Sequence, residues 1–210
     1  MRLAAASERS KLIAQLPLRL LLIVTLLGPL AFAFLLTVQN GTPSDALFGV
    51  WVHTSGFAIS LVVLGFAANW GFPIIAGVLA GDMFAAEDRH GTWKTILTRS
   101  LTLEEMFAGK VLASMAFALG LGLILAASSV VAGLIFVGGQ SMVDFAGREL
   151  GSAHLLLLVS LSWLISLLPL LAYTSVALLL SVATRNGIVG VLGPILVSLI
   201  GQLLALIGKG

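Results

Sequence analysis

The feature that most constrains this chain is a series of five apolar stretches, each near or above the roughly 20 residues that a helix needs to cross the ~30 Å hydrocarbon core of a bilayer. They lie at about residues 19–38, 56–81, 111–137, 155–183 and 187–208. Charged residues make up only 10% of the sequence, whereas a soluble domain carries about a quarter. A soluble domain of this size would leave much of its apolar surface in water. We therefore predict a single transmembrane domain, residues 1–210, surrounded by membrane lipid.

The pattern inside these stretches favours α-helices over a β-barrel. Backbone polar groups in lipid must be hydrogen-bonded internally, so only helices and closed barrels span a membrane. Barrel strands alternate apolar and polar residues over about ten positions, but runs such as Leu119–Ala127 and Leu155–Val159 do not alternate. The predicted fold class is all-α, a polytopic membrane protein with five transmembrane helices, here called spans one to five.

The distribution of Lys and Arg predicts the orientation of the spans. Nine of the 11 basic residues lie before span one, between spans two and three, or between spans four and five: Arg2, Arg9, Lys11, Arg19, Arg89, Lys94, Arg99, Lys110 and Arg185. The other side has only Arg148 and Lys209. Because cytoplasmic loops carry the excess of Lys and Arg, we expect the amino terminus and the loop after span two to lie in the cytoplasm.

Composition excludes several functional classes. The chain has no cysteine and hence no thiolate site, and a net charge of +2 does not indicate a nucleic-acid partner. The span interiors contain no charged residue, and His53, His90 and His154 lie in three different loops. Proton relays, intramembrane proteases and metal-dependent lipid transferases need buried ionisable groups. We therefore expect no catalytic residue, no metal site and no enzymatic activity of the chain's own.

The loop between spans two and three, residues 82–110, has an amphipathic pattern. Its apolar residues recur at helical spacing on one face: Trp93, Ile96, Leu97 and Leu101. This is typical of a short helix lying along the membrane surface. Thr102 and Glu105 form a capping box, which predicts a second helix that continues into span three. We interpret the loop as a cytoplasmic helical elbow; the alternative is a solvated loop that only obeys the charge rule.

The order of residues in this elbow resembles the permease subunits of type-2 ATP-binding cassette (ABC) exporters. An acidic residue precedes Gly-Thr, an apolar pair and a Gly-Lys that opens the next span; the matching residues are Glu87, Gly91, Thr92, Ile96, Leu97, Gly109 and Lys110. Ser100 and Leu103 stand where the family often has a proline and an arginine. Residues 8–13 resemble the family's amino-terminal interfacial helix. The family usually has six spans, so we expect a further segment after residue 210.

The resemblance implies a transmembrane permease subunit, an exporter in the prokaryotic plasma membrane, that moves substrate with ATP hydrolysed by a separate ATPase subunit. The chain has no Gly-x-x-x-x-Gly-Lys-Ser/Thr loop, so ATP and Mg would bind only to that partner. A second permease, identical or related, would complete the dimer. Coupling to the ATPase is assigned to six elbow residues: Glu87, Gly91, Thr92, Trp93, Ile96 and Leu97. The alternative is a non-transporting membrane protein, such as an assembly factor or a sensor subunit.

Span two is interrupted by polar and helix-breaking residues. Asn69 and Trp70 lie near its middle and are followed by Gly71 and Pro73. One interpretation is that Asn69 and Trp70 belong to the translocation path, beside a kink that lets the helix move. The other is an interhelical hydrogen bond next to a proline bend.

Glycines in spans two and five indicate close contact between helices. Gly77 and Gly81 form a small-xxx-small pair, and Gly187, Gly190 and Gly193 are closely spaced. Small residues let the backbones of membrane helices approach each other. These glycines therefore predict helix packing, either within one subunit or across a dimer.

Overall fold

A computed structural model of the chain describes residues 16–38, 51–81, 103–143 and 148–208. Its elements are α1 (Leu16–Val38), α2 (Gly56–Phe66), a π-helix (Ala67–Gly71), α3 (Phe72–Ala80), α4 (Leu103–Phe136), β1 (Met142–Val143), β2 (Glu149–Leu150), α5 (Ser152–Thr184) and α6 (Gly187–Ile207). Five helical segments in this part of the chain are long and apolar enough to cross a membrane, and α2, the π-helix and α3 together make the second. The predicted five-span helical fold is confirmed.

Around span three the structure agrees with one sequence prediction and differs from another. The helix predicted to start at Thr102 and to continue into span three is present as α4, which begins at Leu103 and has 34 residues. Glu104 and Glu105 lie in its first turn, where the helix dipole favours negative charge. A β-hairpin with two-residue strands lies between α4 and α5 and departs from the predicted all-α fold: Met142 pairs with Leu150 in antiparallel register.

The turn between spans four and five is only two residues long. Arg185 has a φ of 53°, a left-handed conformation that reverses the chain direction after α5. Asn186 then caps α6: its side-chain oxygen accepts a 3.0 Å hydrogen bond from the N–H of Ile188. The cap satisfies one of the first-turn donors that a helix leaves without a partner.

The chain forms two compact units. Within the described residues, unit one contains residues 16–21, 69–81, 103–120 and 169–208, and unit two contains residues 22–38, 51–68, 121–143 and 148–168.

A directed chain of hydrogen bonds crosses the interior of unit two. The hydroxyl of Ser129 donates to the carbonyl of Ala126 at 2.8 Å, so its 2.8 Å contact with Ser60 must be one in which Ser60 donates. The indole N–H of Trp163 in turn donates to the Ser60 oxygen at 3.0 Å. All three side chains are buried. Polar side chains thus link spans two, three and four in this unit.

A second polar contact in unit two compensates for a proline. Pro29 lies inside α1 and has no N–H to donate to the carbonyl of Thr25, four residues earlier. The hydroxyl of Ser128 in α4 donates a 2.8 Å hydrogen bond to that carbonyl instead. A neighbouring span therefore satisfies a backbone group that lipid could not.

Glycines bring α3 and α6 into backbone contact in unit one. A Cβ atom added to Gly77 would overlap the carbonyl of Val191, and one added to Gly190 would overlap the carbonyl of Gly81. The prediction that these glycines mark close helix packing is confirmed, and the contact lies within one subunit. Ala80 and Ala177 are fully buried in the same unit, with Val111 packed against them.

Candidate functional site at the π-helix of span two

The middle of span two changes from α-helical to π-helical hydrogen bonding. The π-helix covers Ala67–Gly71, directly before Phe72 and Pro73, which open α3. A π-helix inserts one extra residue into a helix and is frequent at functional sites. Pro73 contributes to the change because it lacks the N–H that would donate to the carbonyl of Asn69 in an α-helix.

Span five provides hydrogen-bond donors to this carbonyl. The hydroxyl of Ser198 donates to the main-chain oxygen of Asn69 at 2.8 Å, and the side-chain nitrogen of Gln202 donates to it at 3.3 Å. The same nitrogen is 3.2 Å from the Ser198 hydroxyl. We call these three residues the polar joint. The interhelical hydrogen bond expected beside the proline is present, although it uses the backbone of Asn69.

The surface next to the polar joint is exposed and contains both polar and aromatic groups. Asn69 is exposed, Trp70 is 45% exposed, and Gln202 is half-buried, whereas Ser198 is only 6% exposed. Polar side chains inside a membrane span are unfavourable in contact with lipid and often mark function. A surface of this kind in the middle of a span suits contact with a polar molecule, water or another protein better than contact with lipid alone.

This surface brings together chemistry for binding an amphipathic molecule. Trp70 is exposed and aromatic, and its indole adds an N–H donor to a large apolar ring. The amide of Asn69 has donor and acceptor groups. None of these side chains carries a charge at neutral pH, so recognition here would use hydrogen bonds and apolar contact.

The six coupling residues predicted from the sequence lie outside the described residues: Glu87, Gly91, Thr92, Trp93, Ile96 and Leu97. Of the elbow, residues 82–110, the structure describes residues 103–110, which form the beginning of α4. Lys110, which the family resemblance placed at the opening of span three, is only 1% exposed, and its carbonyl accepts a 2.9 Å hydrogen bond from Ser114. Its burial places it inside unit one and not on an exposed basic surface.

Sequence reasoning missed Ser198 and Gln202. A signal was present, because a serine and a glutamine four residues apart share one face of a helix, and they are rare polar residues in an otherwise apolar span. What the sequence could not show is that this face meets Asn69, which is 129 residues away from Ser198 along the chain.

Comparison with protein-family models matches residues 6–204 to one described as ABC-2 family transporter protein. Searches of curated proteins and of solved structures found no significant match. The family match extends over nearly the whole chain and into all five spans, in agreement with the resemblance seen in the elbow. The chain is therefore a multi-pass membrane protein that belongs to the ABC-2 family of transporter proteins.

Proposed function

We propose that this chain is the permease subunit of an ABC exporter, which moves cargo across the membrane with energy from ATP hydrolysis in a separate ATPase subunit. The observation that carries the proposal is the transporter-family match over residues 6–204 in a chain with five spans. The sequence contains no phosphate-binding loop. Energy would therefore reach the permease through protein contact.

The elbow between spans two and three is the proposed contact with the ATPase. Its six coupling residues would lie in the cytoplasm, on the same side as the amino terminus: Glu87, Gly91, Thr92, Trp93, Ile96 and Leu97. The helix that follows supports this assignment, because α4 runs without a break from Leu103 to Phe136. A force applied where α4 begins would therefore act on a helix that continues directly into span three.

The exposed surface around Asn69 and Trp70 is the proposed part of the translocation path. It would face the path between this permease and a second one, identical or related. The aromatic and amide groups of this surface favour an amphipathic cargo, which would place its apolar part on Trp70 and a hydrogen-bonding group near Asn69.

The experiment combines assembly with transport. The full chain is affinity-purified from its native membrane, and the co-purifying proteins are examined for a phosphate-loop ATPase. The complex is then placed in liposomes that contain a fluorescent amphipathic dye. We expect ATP-dependent dye movement that requires both subunits. A chain that purifies without any ATPase would instead favour the non-transporting alternative.

A further inference from the structure

Pro73 creates a specific problem in the middle of span two. In an α-helix the carbonyl of Asn69 would accept from the N–H of residue 73, and proline has none. The preceding π-helix, Ala67–Gly71, has already changed the register of the helix by one residue. A carbonyl in this position needs a donor from elsewhere, because lipid offers none.

Each hydrogen bond of the polar joint has an assigned donor and acceptor. A main-chain oxygen can only accept, so the Asn69 carbonyl requires Gln202 to face it with its nitrogen. Ser198 uses its single hydroxyl proton on the same carbonyl at 2.8 Å and accepts from the Gln202 nitrogen at 3.2 Å. The side-chain nitrogen of Gln202 thus contacts two acceptors: the Asn69 carbonyl on span two and the Ser198 hydroxyl on its own span.

The helix after the joint is held firmly against the same partner. Gly77 and Gly81 place α3 in backbone contact with Val191 and Gly190 of α6, and α3 and α6 pack along their length. Within unit one, α3 is therefore held against α6. A change in helix register would consequently rotate residues 69–71, which lie directly before α3.

We propose that Ser198 and Gln202 are positioning residues: by holding the Asn69 carbonyl they set the direction in which Trp70 projects from span two. If both donors were removed, an i to i+5 bond from the N–H of Ile74 would supply a main-chain donor and would move the π-turn along the helix. A shift of one residue rotates a side chain by about 100° around the helix axis. Trp70 would then leave the surface that it shares with Asn69.

Spin labels at two positions test this directly, and the absence of cysteine makes single-cysteine variants of the full chain simple to prepare. One label replaces Trp70 and the other replaces Ile74, which is exposed and lies in the part held against α6. Collision rates with oxygen and with a water-soluble nickel complex are measured in liposomes. In the double variant Ser198→Ala, Gln202→Leu we expect the oxygen-to-nickel ratio to change at position 70 and to stay constant at position 74.

Two control backgrounds separate positioning from general loss of structure. Ser128→Ala removes the corresponding 2.8 Å bond in unit two, to the carbonyl four residues before Pro29. It should leave the oxygen-to-nickel ratios at positions 70 and 74 unchanged. Pro73→Ala gives residue 73 an N–H of its own, so removing Ser198 and Gln202 in that background should no longer shift the label at position 70. If the double variant does not assemble, Gln202→Leu alone keeps the 2.8 Å bond and is compared in the same way.

An unchanged ratio at position 70 in the double variant would overturn the inference, and so would an equal shift in the Pro73→Ala background. The role of this orientation in transport rests on the proposed function and has a separate readout. Transport is measured on the unlabelled double variant, which keeps Trp70. If the oxygen-to-nickel ratio at position 70 changes but this variant transports normally with ATP, the positioning role stands and the assignment of this surface to the translocation path fails.

Discussion

Ser198 donates a 2.8 Å hydrogen bond to the main-chain carbonyl of Asn69, 129 residues earlier in the chain. Ser128 makes a 2.8 Å bond of the same kind to the carbonyl of Thr25. In both cases the accepting carbonyl lies four residues before a proline, Pro73 or Pro29. Proline residues can therefore stay within these membrane helices because a serine on another span supplies the missing donor.

Removing Ser128, which donates to the carbonyl four residues before Pro29, should destabilise the protein moderately. Ser128→Ala takes away the 2.8 Å donor to the Thr25 carbonyl, and we expect a loss of about 1 kcal/mol in the free energy of unfolding. Ser175→Ala is the matched control, since Ser175 is exposed and donates its hydrogen bond to Leu171 of its own helix. Both variants are unfolded by titration with SDS in mixed micelles, followed by circular dichroism. Equal stability of the two would contradict the compensating role of Ser128.

The glycine contact between α3 and α6 should tolerate no side chain. A Cβ atom at position 190 would overlap the backbone of Gly81, so Gly190→Ala should lower the free energy of unfolding by about 1–3 kcal/mol through overpacking. Gly201 lies in the same helix with open space around it. Gly201→Ala should therefore leave stability unchanged or raise it by up to about 1 kcal/mol, because alanine favours helix. The same SDS titration measures both, and a Gly190→Ala protein as stable as Gly201→Ala would contradict the packing.

The indole N–H of Trp163 should contribute to stability beyond the size of its ring. Trp163→Phe leaves an aromatic side chain but removes the 3.0 Å donor to Ser60. We expect a loss of about 1–3 kcal/mol. Trp70→Phe makes the same chemical change at an exposed position and should cost much less. A double-mutant cycle with Ser60→Ala isolates the pair, and a coupling energy of zero would show that the bond contributes nothing.

Substitutions in the elbow should separate ATP hydrolysis from transport. We expect Glu87→Ala or Gly91→Val to leave the permease folded and the ATPase able to hydrolyse ATP, while ATP-driven transport falls at least tenfold (a coupling loss of about 1.4 kcal/mol or more). Glu104→Ala is the control, because Glu104 is an exposed acidic residue just inside α4. Normal transport by the Glu87 and Gly91 variants would show that coupling uses other residues.

Trp70 should affect cargo selection without affecting the fold. It is 45% exposed at mid-span, so Trp70→Ala removes mostly surface contact and should change the unfolding free energy by less than about 1 kcal/mol. Transport of an aromatic amphipathic dye should weaken through a higher KM, since ring stacking on the indole is lost. Initial rates across a range of dye concentrations give KM and kcat separately. An unchanged KM would remove Trp70 from the path.

The sequence predicted the spans well and the polar joint poorly, for physical reasons. The number of spans can be predicted from the length of each apolar stretch, because the thickness of the bilayer is nearly fixed. The spacing of Gly77 and Gly81 indicates close packing even when the helix that packs against them is unknown. The bond from Ser198 to Asn69 depends on which faces of two distant helices meet. Span two shows what the sequence alone leaves open. Pro73 predicts a disturbance in the helix, but both a kink and a π-helix can accommodate a proline that lacks the N–H donor. The hairpin at Met142 and Leu150 is too short to give an alternating pattern.

We propose that a separate ATPase, bound through the elbow, drives this chain. The most direct measurement is affinity purification of the full chain, with Glu87 or with Glu87→Ala, from the native membrane, followed by ATP-driven transport in liposomes. We expect a phosphate-loop ATPase to co-purify with the Glu87 form and to drive transport, and we expect Glu87→Ala to abolish ATP-driven transport while the spans remain folded. Purification of a folded chain with no ATPase, in repeated preparations, would contradict it.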